Sequence, residues 1–445
     1  MKQASEVNSL NTQPFTRELK FSDLKSMGKL HLETSSLFAL SSLREMTKTL
    51  TWRFFPNVME SLATMAHQTV LYLNHSAQIS GAEASLRSLL WGLRRADAPI
   101  DPLVALPGEG PLTSLLRDEG WSVTLAPLRR LERPRGLIDT MTSLLHVIQT
   151  APHICRLANG SSARIIHSNS TTAHIVGGIA GEKIGKPALW HCRDLVPLGK
   201  IAAQLGNKAA RVVAISGCVA ELLEREGVPR DKIRVIFNGL DPDEWRPRPR
   251  SVVRELLSLP PDAFVFGVVG QMVPWKNHSA FIEAAALLAE DDECAHARFV
   301  VIGGDLWDEQ ATYIKDLRAL VKEHELAGRF NFVPNQSDGS DALAALNCLV
   351  HPALDEPFGR VVMEAMAMEK PVIAMNSNGP REIIQHEHDG LLVEPQDLAA
   401  TMKRVLLDAD LREHLSRNAR PSIESRFHIA EHTRQMLELY SELSS

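Results

Sequence analysis

A chain of 445 residues, 44% hydrophobic and 23% charged, has the composition of an ordinary globular protein and the length for two or three domains. Wholesale disorder, collagen and a disulfide-built miniprotein are excluded, and no apolar run approaches the ~20 residues of a membrane span. The net charge of −6 is uneven: residues 1–250 hold 31 Lys and Arg against 23 Asp and Glu, and residues 251–445 hold 17 against 31. This predicts two halves with different tasks, the first too weakly basic to argue for nucleic acid.

In chain order, residues 1–65 mix Ser, Thr, Lys and Glu with short apolar patches and are expected to form an extension, partly helical and partly loose. The first thirty show no basic patch followed by a compact apolar core, so no secretory signal is expected and the cytoplasm is the expected compartment. From Thr69 a unit of apolar strand, polar loop and amphipathic helix begins: Val70–Leu73, then Asn74–Gly81, then Ala82–Arg94. It recurs at Leu103–Leu106, Ser122–Leu125, Arg164–His167, Ala188–His191 and Arg211–Ile215. Trp245–Arg250, with two prolines among arginines, reads as an exposed linker. The rhythm then restarts at Phe264–Val269, Phe299–Ile302, Phe330–Val333, Cys348–His351 and Pro371–Ala374, and closes on helices Leu398–Asp408 and Glu431–Ser441. Short buried strands alternating with helices predict parallel sheets covered on both faces. The expected class is α/β, two tandem doubly wound Rossmann-like domains facing across a cleft, with ligands outside the carboxyl ends of the strands. The expected division is 1–65 extension, 66–245 first domain, 246–258 linker, 259–425 second domain and 426–445 a C-terminal helix packing back towards the first domain. Cys155, Cys192, Cys218, Cys294 and Cys348 are odd in number and form no C-x-x-C pair, so reduced, mostly buried thiols are expected.

The most informative segment is Asp355–Pro371, DEPFGRVVMEAMAMEKP. Glu356 lies in a loop after a strand, Pro357 and Gly359 shape a tight turn, and Glu364 follows on a helix. Such a turn offers free backbone N–H groups to phosphate oxygens, while the carboxylates can accept from sugar and ribose hydroxyls. The plain alternative is a solvated loop and helix. Gly270-x4-Trp275-Lys276-Asn277 has the outline of a P-loop, but Trp275 replaces the needed glycine and Asn277 the hydroxyl that would hold Mg²⁺. Asp241-Pro-Asp243 reads as a turn and not a metal site. Gly81 opens a helix where a missing side chain lets backbone approach phosphate. Arg129, Arg130, Arg133 and Arg135 read as a solvated loop, with contact to an anionic membrane or acceptor as the lesser reading.

The E-x7-E pair with its following EAMA, PVIA with Asn378-Gly379-Pro380, and Asp389–Val393 closely resemble the retaining glycosyltransferases of family 4, which have the two-domain GT-B fold. Further matches are Ser80–Glu83, Val212–Glu226, Ile233–Asp241, Gly270–Lys276 and Val301–Gly304, in family order from about residue 69 to 441. The resemblance implies transfer of a sugar from a nucleotide diphosphate sugar to a glycan, lipid-linked or small-molecule acceptor, with no cofactor and no metal. It implies that Glu364 holds ribose hydroxyls, Glu356 the sugar and Lys276 the diphosphate, aided by amides near Phe358 and Gly359 and by Gly81, Gly303 and Arg360. His191 would lie beside the transferred sugar, with Arg193 and Asp194 on the acceptor rim. Gln271 stands where the family commonly has an Arg, so one cation is missing. The family setting implies polysaccharide or glycolipid assembly and peripheral contact with the inner face of the membrane.

Two other readings stand beside this one. A non-catalytic nucleotide-sugar-binding module is encouraged by Gln271 alone. A nicotinamide-dependent oxidoreductase would need G-x-G-x-x-G opening a helix, which neither Val268–Gly270 nor Ile302–Gly304 supplies.

Overall fold

The computed structural model describes residues 66–130, 136–249, 252–256, 259–336 and 338–444. The expected extension at 1–65, and Arg133 and Arg135, lie outside the described residues.

Among the described residues thirteen strands form two sheets. The first contains β1 (Gln68–Leu73), β2 (Ile100–Leu106), β3 (Ser122–Leu125), β4 (Ala163–Ser168), β5 (Ala188–Cys192), β6 (Arg211–Ala214) and β7 (Ile233–Val235). The second contains β8 (Phe264–Val269), β9 (Ala297–Ile302), β10 (Phe330–Val333), β11 (Cys348–His351), β12 (Val372–Met375) and β13 (Leu391–Val393). Their spatial orders are β3-β2-β1-β4-β5-β6-β7 and β10-β9-β8-β11-β12-β13. Every pairing is parallel. The chain is therefore α/β with two Rossmann-like halves. Strand order reverses between β1 and β4 in one sheet and between β8 and β11 in the other, the position at which open parallel sheets bind ligands.

Strands such as Val70–Leu73 and Phe264–Val268 are buried throughout, as strands covered on both faces must be. Local signals set the helices around them. Helix Gly81–Arg95 places Glu83 in its first turn and Arg94 and Arg95 in its last, complementing the helix dipole, and buries Leu86, Leu89, Leu90 and Leu93. Ser170 and Ser216 cap helices Thr171–Ile184 and Gly217–Arg225 by accepting from Ala173 N at 3.2 Å and Val219 N at 3.3 Å.

The 24-residue helix Leu137–Gly160 was not expected from the sequence. It buries Val147, Ala151, Ile154 and Ala158 but exposes Met141, Leu144, Leu145 and Ile148, so the apolar periodicity that marks a helix is blurred. Helix Ala409–Arg426 was missed for the opposite reason: it is mostly polar, contains Pro421, and buries a thin line through Leu411, Leu415, Ala419, Ser422 and Ile423.

The two halves share an apolar seam in which the Phe358 ring lies 5.9 Å from Phe237 and 6.0 Å from Phe427. Beside it the chain crosses back: Leu240 N donates to Phe427 O and Ile429 N to Leu240 O, both at 2.8 Å. Helix Ile429–Ser444 then lies on helix Gly81–Arg95, with Gly92 against Thr433 and Tyr440 buried in the first half's core. Along the connecting segment Arg246–Pro249 are exposed, while Trp245 O accepts from Arg420 Nη1 at 3.0 Å.

Candidate active site

At the second sheet's reversal, β8 delivers Gln271 and Lys276 and β11 delivers His351 and Glu356. Lys276 Nζ donates to Glu356 Oε2, and His351 Nε2 lies 3.1 Å from the same oxygen. Burial alone would raise the Glu356 carboxyl; Lys276 and His351 outweigh it and hold the carboxyl well below the usual carboxylate range. His351 is itself pushed down by burial, against the pull of Glu356. Lys276 Nζ also sits 4.3 Å from the centroid of the exposed Trp275 ring, so one ammonium meets a carboxylate and an aromatic face together.

Backbone close to this cluster is held by glycines. Gly359 has φ +104° at the start of helix Arg360–Ala367, in the left-handed region that favours glycine. A Cβ on Gly303 would lie 1.7 Å from Gly270 O, so the loops after β8 and β9 pass in direct backbone contact. A Cβ on Gly379 would lie 2.3 Å from Phe358 Cα, and Gly379 N donates to Glu356 O at 3.0 Å. Phe358 is buried in the interdomain seam and so anchors the turn.

Arg360, the first residue of helix Arg360–Ala367, joins the halves. Its Nη2 donates to Glu364 Oε1 at 3.0 Å and its Nη1 to Ser85 Oγ of the first half at 3.2 Å. Burial raises the Glu364 carboxyl, opposed by Arg360 and Lys276. Gly81 faces the same arginine, its Cβ position 3.9 Å from Arg360 Cδ. Further contacts cross the seam: Glu382 accepts from Gly217 N at 2.7 Å and Cys218 N at 3.1 Å, a carboxylate on a helix N-terminus. Ser216 Oγ donates to Pro357 O at 2.7 Å. Arg130 meets Glu309 at 3.1 Å and stacks 4.9 Å over Trp307.

The first sheet's reversal holds a second polar cluster. Asn74 Nδ2 donates to Glu83 Oε1 at 3.1 Å, and Asn169 Nδ2 to Asn74 Oδ1 at 2.9 Å. Arg193 donates to Asn169 Oδ1 through Nε at 3.0 Å and Nη2 at 2.8 Å, and to Asn238 Oδ1 through Nη1 at 2.8 Å. Arg193 is thus buried scaffold where the sequence suggested a rim; Asp194 alone of that pair is exposed. His191 is fully buried, and burial with the neighbouring Arg193, His167 and His432 holds its imidazole far below the usual value, hence neutral. Asp241 Oδ1 accepts from Asp243 N at 3.1 Å, a turn contact. Among the described residues no group of three or more His, Cys, Asp or Glu side chains is placed to hold a metal ion, and no helix is long and apolar enough to cross a membrane.

Lys276, Glu356, Phe358, Gly359, Arg360 and Glu364 are therefore drawn together by the second half, with Gly81 opposite, Gly303 on the adjoining loop, and His191 and Arg193 under the first sheet's edge. Sequence reasoning missed His351, Asn74, Asn169 and His167. Their common signal is a polar residue at or just past the carboxyl end of an apolar strand, where a plain core would continue apolar.

Comparison with known proteins gives concordant results. Residues 79–244 match the model for Glycosyltransferase Family 4 and residues 251–422 that for Glycosyl transferases group 1. The UDP-Gal:alpha-D-GlcNAc-diphosphoundecaprenol alpha-1,3-galactosyltransferase of Escherichia coli is 27% identical over 401 residues, 82% of this chain and 98% of that protein. The D-inositol 3-phosphate glycosyltransferase of Saccharomonospora viridis is 28% identical over 62% of this chain and 70% of its own length. Among solved structures, Anabaena HepE in complex with UDP and glucose superposes with a TM-score of 0.72 at 25% identity, covering 84% of this chain and all of that one.

Proposed function

Because the chain belongs to the family 4, group 1 glycosyltransferases of GT-B architecture, which take sugar from a nucleotide sugar, we propose a retaining, metal-independent transfer from a uridine diphosphate sugar. The bond from sugar C1 to the β-phosphate oxygen breaks, and an acceptor hydroxyl oxygen bonds C1 on the same face. The hydroxyl proton leaves with the departing phosphate. The observation that carries this reading is the Lys276–Glu356–His351 cluster at the second sheet's reversal, joined through Arg360 to Ser85 and Gly81 of the first half.

In the free protein Lys276 and Glu356 neutralise one another. A bound donor separates their roles: Lys276 turns to the diphosphate, while Glu356, kept ionised, accepts from sugar hydroxyls. Glu364 takes the ribose hydroxyls, and the amides of the Phe358–Gly359 turn and Gln271 meet the phosphates. Charge grows on the departing phosphate in the transition state, so fixed donors aimed there lower the barrier, roughly 3–4 kcal/mol for each well-placed one. The uracil base is proposed from the UDP-containing relatives; no side chain described above reads it.

The acceptor proposed is a lipid-linked glycan at a membrane surface. The Escherichia coli relative is named for a diphosphoundecaprenol-linked substrate. Here Met141, Leu144, Leu145 and Ile148 form one exposed apolar stripe, and exposed Arg129 donates to Thr142 O of the same helix at 3.2 Å, a pairing that suits an anionic bilayer. Sedimentation with vesicles tests this: binding to phosphatidylglycerol but not phosphatidylcholine, lost in Leu144→Asp/Ile148→Asp, is expected. A donor screen tests the transfer itself, and a chain that binds UDP-sugars yet neither hydrolyses nor transfers them would be a binding module instead.

A further inference from the structure

Five side chains from β1, β4, β5, the residue after β5 and the last helix form an unbroken hydrogen-bonded line beneath the first sheet's carboxyl edge. Tyr72 OH lies 2.9 Å from Tyr440 OH, and Tyr440 OH lies 2.7 Å from His167 Nδ1. His167 Nε2 lies 3.1 Å from His191 Nδ1, and Arg193 Nη2 lies 3.4 Å from that same Nδ1. All five are buried. At the end of the line His191 Nε2 is buried with no hydrogen-bond partner among the described residues.

Arg193 gives the line its direction. A guanidinium only donates, and this one is held in place by the side-chain oxygens of Asn169 and Asn238. Burial lowers it only to about 9, so it is charged at neutral pH. His191 Nδ1 must therefore accept. His167 Nε2 then carries its proton, His167 Nδ1 accepts from Tyr440, and the Tyr440 oxygen accepts from Tyr72. The opposite order would set donor against donor at His191 Nδ1 and would leave the Tyr72 hydroxyl proton without an acceptor. A neutral imidazole that accepts at Nδ1 carries its single proton on Nε2.

We propose that Tyr440, His167 and Arg193 lock His191 into the Nε2–H tautomer, so that this otherwise unpartnered N–H is offered to an oxygen of the bound donor's sugar. The inference rests on the proposed transfer reaction and adds to it that the C-terminal helix completes the first half's site. Tyr440, His167 and Arg193 are positioning residues. His191 is a fixed hydrogen-bond donor and not a proton carrier. The titratable and charged groups that face it are His167, Arg193, His432, Tyr440 and, one step further, Tyr72; burial and the Arg193 charge oppose a second proton. An unpaired buried N–H is unfavourable, and a substrate oxygen that accepts from it removes the penalty.

The test uses the full chain with ¹⁵N-labelled histidine, the His191 signals being assigned by their loss in His191→Gln. Expected are a protonated Nε2 and an unprotonated Nδ1, unchanged from pH 6 to 8, and a shift of the Nε2 signal when UDP-glucose is added. Tyr440→Phe is expected to give a mixture of tautomers and to lower kcat about tenfold, the scale of one hydrogen bond, with donor KM changed less than about threefold. Tyr72→Phe removes only the outermost donor and is expected to keep the tautomer. A proton on Nδ1 in the unmodified chain, a His191 titration between pH 6 and 8, an Nε2 signal unmoved by UDP-glucose, or a Tyr440→Phe variant with unchanged tautomer and kcat would each overturn the proposal. The unmodified spectrum decides even where a variant does not fold. The expected spectrum together with no nucleotide sugar consumed would overturn the proposed function and leave the tautomer lock standing.

Discussion

Lys276 is held between the Glu356 carboxylate and the Trp275 face, so its removal acts twice. Lys276→Ala would leave Glu356 buried with only His351 beside it and would strip the proposed diphosphate site of its ammonium. A fall in turnover of roughly 10²–10³ with weaker donor binding is expected, read from kcat/KM and from donor titration. Glu364→Gln should weaken nucleotide-sugar binding more than turnover, because an amide accepts less strongly from hydroxyls and releases Arg360 from its partner; calorimetry with UDP-glucose checks it. Gln271→Arg should preserve or raise kcat, since an added guanidinium stabilises growing phosphate charge more than the ground state; a large loss with intact folding would show that Gln271 makes a specific neutral contact. At this scale the candidate site was partly legible. Glu356 and Glu364 sit in one short segment whose turn residues and spacing mark it, whereas Lys276 stands out only through the family resemblance. His351 and Asn169 carry the local mark of a polar residue at the end of an apolar strand, but which strands stand side by side, and that Tyr440 returns across more than 300 residues, no local pattern encodes.

Strands and helices bring these residues together by close backbone approach at a few glycines. Gly303→Ala would drive a methyl into Gly270 O and push apart the loops after β8 and β9, so loss of both melting temperature and UDP affinity is expected in thermal denaturation with and without UDP. Gly92→Leu would force the last helix off helix Gly81–Arg95, where even a Cβ would meet Thr433 Oγ1 at 2.1 Å. A destabilisation of about 1–3 kcal/mol, the range for overpacking, is expected in denaturant unfolding. The core strands were legible because each is a short apolar run bounded by turns. β7 and β13, three residues each, were too short to announce themselves as strands, and Leu137–Gly160 was hidden by apolar residues on both of its faces.

Across the whole molecule, buried histidines make folding sensitive to acid. Burial lowers His174, His278 and His432 to about 4 and His167 and His191 well below the usual 6.5. These groups are neutral in the folded chain but take up protons in the unfolded chain once pH falls below ~6.5. Stability is fully present above that value and is lost as pH falls towards the folded values, by about 1.4 kcal/mol per pH unit for each such group at most. A melting temperature that drops steadily from pH 7 to pH 5, before most carboxylates titrate, is expected; a flat profile would contradict the neutral, buried assignment.

The same architecture sets two polar clusters at the reversals of two sheets, with Arg360 reaching from the second half to Ser85 of the first, and the proposed transfer would bring donor and acceptor together between the halves. The most direct test of that claim follows the anomeric proton by NMR while purified protein acts on UDP-α-glucose and UDP-α-galactose with lipid-linked and free glycan acceptors. The expected result is UDP release with an α-linked product, lost in Lys276→Ala; a β-linked product, or intact donor throughout the panel, would contradict the account.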